Sequence, residues 1–216
     1  KTSACPMFIG RYVRGVKNVE SPRWLRDRLN AVGMRPISAL VDITNLMALD
    51  LCRPLHVFDA DKLKGDIHVR MGREGEKFLA LNGREYELDA EMTVIAGDSE
   101  AEALGGVVGG ERSGCKDETV NVMLESALFD PVRTTTTGRK LNLISDARYR
   151  FERGIDSAFL EDGAEIATRL ILEICGGEAS HLVVAGGTSP AAEPILLRDG
   201  RVSSLGGVSV PKEEAR

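Results

Sequence analysis

The chain has 216 residues, 43% of them hydrophobic and 28% charged, with a formal net charge of -5. That length accommodates one large domain or two small ones with a proper core, and the composition is that of an ordinary globular protein. The acidic balance argues against a self-sufficient nucleic-acid surface, and no apolar run approaches the roughly 20 residues of a membrane helix. A nucleic-acid partner would have to be held mostly by something else. KTSACPMF at the start lacks a signal peptide's charged-then-apolar layout, which makes the cytoplasm the expected compartment. Cys5, Cys52, Cys115 and Cys175 lie far apart with no C-x-x-C pair, so free thiols are expected and no structural metal.

In chain order, FIGRYVRGV alternates apolar and basic residues and predicts a strand over 8–16. SPRWLRDRLNAVG predicts a helix with Ser21 as N-cap, Pro22 at the first helical position, Trp24, Leu25, Leu29 and Val32 on one face, and Gly33 beyond the end. Its arginines, Arg23, Arg26 and Arg28, read as a solvated face. Residues 33–59 then set Arg35, Asp42, Asn45 and His56 among apolar residues, and each buried polar group there needs a partner or a ligand. The segment reads as one wall of a site, or as polar residues that satisfy one another inside a core.

A β-rich section follows. IHVRM, KFLAL, EYEL and MTVIA are short alternating runs, Asn82-Gly83 signals a hairpin, and together they predict a meander in which His68 points outward. ALGGVVGG at 103–110 lacks the P-loop pattern. Its glycines fit either backbone that a ligand approaches closely or a bulged strand packed against its neighbour. VNVMLESALF predicts a strand with Val122 and Leu124 on one face and Asn121, Met123 and Glu125 on the other; a carboxylate at 125 among apolar neighbours calls for a partner. PVRTTTTGRK predicts a helix and SDARYRFERGID an irregular loop laced by ion pairs. From Ser157, the residues Phe159, Leu160, Ile166, Ala167, Leu170, Ile171 and Ile174 describe a long amphipathic helix closed by Gly176-Gly177. TSPAAEP reads as a linker, and ILLRDGRVSSLGGVSVPKEEAR as a strand followed by the beginning of another pattern, as in a piece of a longer chain.

SPRWLRDRL, GMRPISALVDITN, RPLHVFDADKLKG, GREGEKFLALNGRE, ALGGVVGG, DETVNVMLESALFDP and SDARYRFERGID stand in this order. Over roughly residues 5–187 the sequence thereby resembles the editing module, the B3/B4 domain, of the bacterial phenylalanyl-tRNA synthetase β subunit. The resemblance implies a module over 1–187, with 188–216 as linker and start of the following domain. It implies an α+β fold with a mixed, largely antiparallel β core, barrel-like closure being one form of it, flanked by helices starting near Ser21 and Asp156. The implied activity is hydrolysis of mischarged Tyr-tRNA(Phe), within an enzyme that as a whole ligates phenylalanine to its tRNA. An apolar pocket shaped for phenylalanine rejects an added hydroxyl only about a hundredfold, so a second site is useful.

Residue by residue, the resemblance implies that Glu125 accepts the tyrosine hydroxyl and that His56 stands at the ester end of the pocket. Arg35 and Asn45 match polar positions beside it, Gly105 and Gly109 line the pocket with backbone, and Ser145 and Ala147 match small residues on the opposite wall. No serine or cysteine nucleophile is paired with a base, so a water attacking the ester is expected, with His56 as general base or as an orienting group and Arg35 favouring the oxyanion. Gly105 stands where alanine is frequent in the family, which implies a slightly wider pocket, and Arg148 replaces a usually small residue. No cofactor is implied for this segment, ATP and magnesium serving the synthetic site of the whole enzyme. The implied partners are the synthetase α subunit in a heterotetramer and tRNA(Phe). The competing expectation is a non-catalytic module that braces the β subunit or binds tRNA.

Overall fold

A computed structural model describes residues 4–187, 194–198, 200–211 and 213–214. The first strand, β1 (Met7–Arg14), leads to α1 (Arg23–Ala31) and α2 (Ala39–Asp50), then to β2 (His56–Asp59). Next come β3 (His68–Met71), β4 (Lys77–Leu79), β5 (Glu85–Glu87), β6 (Thr93–Ala96), β7 (Ala101–Leu104) and β8 (Val108–Gly109). The long β9 (Asn121–Leu128) precedes α3 (Pro131–Lys140), α4 (Asp146–Phe151) and α5 (Leu160–Cys175). Short strands β10 (Glu178–Ala179) and β11 (Val183–Gly186) and the helix α6 (Gly200–Gly206) complete the described elements.

The expected α+β architecture is present. One sheet runs β10-β1-β9-β2 with β11 also paired to β1, a second runs β3-β6-β7-β8, and β4-β5 form a separate hairpin. All the pairings among the described residues are antiparallel, and none closes a barrel. Nor is the β-rich section a simple meander: β3 pairs with β6, so the β4-β5 hairpin is inserted between sheet neighbours. The hairpin turn lies where Asn82-Gly83 predicts it, with Gly83 at φ +75 and its N–H donating to Ala80 O at 2.9 Å.

Strand alternation divides the main sheet into two unlike faces. Val13, Val57, Val122 and Leu124 point to one side and pack on Leu25 and Leu29 of α1, Leu40, Ile43 and Met47 of α2, and Ala167 and Ile171 of α5. The opposite side carries Phe58 and Ala127, packed with Ile95 and Ala103 of the second sheet and with Phe129 and Phe151.

Several local expectations are revised by long-range contacts. Ser21 does not cap α1; Pro22 occupies that position and the Ser21 hydroxyl donates to Asp42 Oδ2. Trp24 and Val32 are exposed, so Leu25 and Leu29 alone anchor α1 in the core. SDARYRF is not irregular: Ser145 caps α4 by accepting from the Arg148 N–H at 3.0 Å, and the ion pairs Arg148–Glu152 and Arg150–Asp146 run at helical spacing along it. Residues 195–197 form no strand, and α6 follows them. The linker expected at TSPAAEP falls largely on residues outside those described.

Asp42 is fully buried and serves structure: beyond the Ser21 hydroxyl, its Oδ1 accepts from the Ile37 N–H at 2.9 Å, pinning the approach to α2. Asp42→Ala would orphan both donors and is expected to lower stability by about 2–3 kcal/mol, read from urea denaturation, whereas an effect below 0.5 kcal/mol, roughly that of an ordinary surface change, would contradict this role.

Candidate functional site

Antiparallel register sets His56 directly opposite Glu125, with Gly10 on the other flank of Glu125. Because successive side chains alternate, His56, Phe58, Met123 and Glu125 emerge on the face away from the helical layer. There His56 and Glu125 border a small cleft of about 60 Å³. The cleft's second wall comes from the other sheet and α4, through Ile95, Ala103, Gly106, Val107, Ala147 and Phe151.

Glu125 is 5% exposed, and no hydrogen bond reaches its carboxyl group from the described residues. Burial pushes its pKa up to about 8, opposed by the charge of Arg53, so the group is mostly protonated at neutral pH. Burial likewise lowers His56 to about 4 and leaves a neutral imidazole. Its ring sits edge-on to Phe58 at 4.4 Å, and its Nε2 is out of solvent without a hydrogen-bond partner among the described residues. Two facing polar groups without partners, on an otherwise apolar cleft, are what a polar ligand would satisfy.

The glycine-rich turn makes the close approach possible. A Cβ on Gly109 would stand 2.4 Å from His56 Cε1 and 2.7 Å from its Nε2, so the imidazole occupies the space that a side chain would take. Gly106 has φ +71 and faces Phe129 and Phe151. Within the turn the Gly105 and Val107 N–H groups donate to Thr93 O and Leu104 O, both at 2.9 Å, whereas the Gly106 N–H has no backbone acceptor among the described residues.

Of the residues singled out from sequence, His56, Glu125, Gly109 and Ala147 border the cleft together. Gly105 does not: its missing Cβ points at the Phe129 ring, 2.7 Å from Cε1, so the glycine there bears on packing against Phe129 rather than on pocket width. Ser145 acts behind the wall, donating to Val107 O at 2.6 Å while capping α4. Arg148 packs over Gly138 and donates to Leu143 O, which joins α3 to α4. Arg35 is exposed ahead of α2 and Asn45 is half-buried on it; neither borders the cleft. The physical reason is that α2 packs on the helical face of the sheet, opposite to the face that His56 uses.

Sequence reasoning passed over Arg53. It is 1% exposed, its Nη2 donates to Ala127 O at 2.6 Å, its guanidinium carbon lies 5.9 Å from the centre of the Phe151 ring, and burial lowers its pKa to about 10. The available signal was an arginine between Cys52 and Pro54 in an apolar run. Among the described residues, no group of His, Cys, Asp and Glu is placed to hold a metal, and no helix is long and apolar enough to cross a membrane.

Comparison with known proteins gives a match of residues 4–176 to the family model described as the B3/4 domain. Among individual proteins, the chain is similar to the phenylalanine–tRNA ligase β subunit of Paramagnetospirillum magneticum, 59% identical over 209 residues that make up 97% of this chain and 26% of that protein. The same subunit of Rhodospirillum rubrum is 56% identical over 99% of the chain and 27% of the relative. The chain thus spans about a quarter of the length of these relatives. A solved N-terminal fragment of the phenylalanyl-tRNA synthetase β subunit from Pyrococcus horikoshii aligns at a TM-score of 0.48 and 12% identity, over 98% of this chain and 58% of the fragment.

Two measurements probe the site without assuming a substrate. Gly109→Ala should expel the imidazole from the cleft, and NMR titration should then show the His56 pKa rising from about 4 toward its ordinary 6.5; an unmoved pKa would refute the packing account. The raised pKa of Glu125 means that the folded state holds a proton which the unfolded chain gives up near 4.5. Its contribution to stability is therefore complete below pH 4.5 and is lost as pH rises through about 8. Relative to Glu125→Gln, the wild-type chain should lose up to ~1.4 kcal/mol per pH unit across that window in urea denaturation, and a pH-independent difference would count against the burial effect.

Proposed function

The chain belongs to the B3/4 domain family, and from that premise we infer that it hydrolyses the ester of a tyrosine misattached to tRNA(Phe), as the proofreading part of a phenylalanine–tRNA ligase β subunit. The observation that carries this reading is the protonated, buried Glu125 carboxyl, without a hydrogen-bond partner among the described residues, across the strand pair from a neutral His56. A phenol hydroxyl can accept the carboxyl proton and donate to its carbonyl oxygen. Phenylalanine fills the same apolar space and leaves the carboxyl unpaired, at a cost of about 1–3 kcal/mol. The cleft would therefore favour the amino acid that a phenylalanine pocket rejects poorly.

At the ester end, an imidazole held neutral with a pKa of about 4 is a weak base at pH 7, since general bases work best near the operating pH. Its fitting role is to accept a hydrogen bond from water or substrate and so orient the attack. As carbonyl oxygen charge develops, the Gly106 N–H is the donor of the turn left available for it. Water adds to the carbonyl carbon and gives up a proton, the tetrahedral oxyanion collapses with cleavage of the acyl C–O bond, and the proton released by the water ends on the departing ribose oxygen, leaving tyrosine with a free carboxyl group. Arg35 and Asn45, on the far side of the sheet from the cleft, take no part in the reaction on this reading. ATP and magnesium belong to the synthetic site elsewhere in the enzyme, and the α subunit and the body of the tRNA supply the docking that an acidic chain does not.

The test is deacylation of Tyr-tRNA(Phe) and Phe-tRNA(Phe) by the whole ligase. Glu125→Ala should reduce the preference for the tyrosyl ester by about 10- to 100-fold in kcat/KM, and unchanged discrimination sinks the assignment. His56→Ala should lower tyrosyl ester hydrolysis about tenfold or more; a full rate would remove His56 from the chemistry. Loss of neither activity in either variant would favour the bracing role instead.

A further inference from the structure

The cleft beside His56 and Glu125 holds about 60 Å³, room for roughly two waters, whereas a benzene-sized ring takes a cavity of about 150 Å³. A phenol therefore enters only if a side chain beside the two polar groups yields. Most of the surroundings cannot. The imidazole is wedged against Gly109, Gly106 is packed on the rings of Phe129 and Phe151, and Phe58 is fully buried.

The exception lies on the other flank of Glu125. Register pairs Glu125 with Gly10 of β1, while Met123, two residues before Glu125 and on the same face, pairs with Tyr12. Gly10 presents no side chain there, and the end of Met123 takes up the space: a Cβ on Gly10 would collide with Met123 Cε and stand 3.6 Å from its Sδ. Gly10 and Met123 also belong to the floor of a second, larger cleft of about 620 Å³, whose other walls include Phe8, Tyr12, Leu63 and Val183. The methyl thus stands between Glu125 and a space that is already open. A half-buried thioether on three rotatable bonds can swing into that space and leave its place over Gly10 without opening a new cavity in the core.

We propose that Met123 gates the pocket: its methyl moves off Gly10 into the larger cleft when an aromatic ring enters beside Glu125, and the vacated trough receives the far edge of that ring. That the ring belongs to a tyrosyl ester rests on the hydrolytic reading above; the movable methyl rests on the packing. Glycine at position 10 has a role in this account, because a side chain there would put a group fixed to the backbone where the movable one now lies.

The experiment is an NMR titration of the chain with isotope-labelled methionine methyls, the Met123 signal being the one that Met123→Ala removes. L-Tyrosinamide and L-phenylalaninamide should both shift that signal, and L-alaninamide, which has no ring, should not. Gly10→Ala exchanges the movable methyl for a fixed one and should weaken tyrosinamide binding about tenfold, whereas Met123→Ala empties the trough and should keep the affinity within about threefold or tighten it. A Met123 methyl unmoved by both aromatic amides, or moved equally by alaninamide, would overturn the proposal. So would the opposite pattern of variants, weaker binding in Met123→Ala with Gly10→Ala unchanged, which describes a fixed wall. If Gly10→Ala disturbs the other methionine methyls and so the fold, the titration and Met123→Ala at its half-buried position decide between gate and wall by themselves. Shifts with both aromatic amides but no tighter binding of tyrosinamide would support the gate and refute the reading of Glu125 as the hydroxyl's partner.

Discussion

β9 is hydrogen-bonded along both edges, to β1 over Met7–Arg14 and to β2 over His56–Asp59, and its two faces serve different purposes. Val122 and Leu124 belong to the helical core; Met123, Glu125 and Ala127 face the other sheet. Everything in the cleft depends on that pairing. The β2 register sets His56 opposite Glu125, the Ala127 carbonyl holds the Arg53 guanidinium, and the glycine turn of the second sheet comes close enough to leave the imidazole no room on its far side. The carboxyl and the imidazole are kept by a scaffold whose stability is supplied on the opposite face of the same strand.

Burial then gives these groups their chemical character. Desolvation acts on Glu125 and His56 in opposite directions, raising the acid and lowering the base, so both are neutral through most of the range between about pH 4 and pH 8. Arg53 supplies the nearby positive charge that moderates the effect on Glu125 without bonding to it. A neutral pair suits recognition of a hydroxyl, where donor and acceptor geometry matters more than net charge.

How much of this was legible in the sequence depended on how local the cause was. β1, α1, α3, the long α5 and the turn at Asn82-Gly83 follow from periodicity and turn chemistry, and they stand close to where those rules put them. Ser21 misled because a hydroxyl before a helix is a good cap, yet a buried carboxylate 21 positions later competed for it. α4 was hidden by its density of charge, which reads as loop until the ion pairs are seen to run at helical spacing. In the site, alternation along β9 pointed to Glu125, and the resemblance supplied a meaning for it. The same stretch misplaces Arg35 and Asn45 relative to His56, because residues near in sequence lie on opposite faces of the sheet once α2 folds back over it. Arg53 shows the converse: nothing in a C-R-P triplet announces a buried guanidinium.

The division of β9 into a core face and a cleft face also constrains how such a chain can diverge. A substitution in the core changes volume, and one in the cleft changes chemistry, so either can drift by itself. An insertion or deletion of one residue within β9 is a different event, since it would turn Leu124 or Ser126 toward the cleft and Glu125 into the helical layer. Length changes in lineages that keep this architecture should accordingly gather in the β4-β5 hairpin, whose tip is exposed at 82–85 and whose pairing touches neither face of β9.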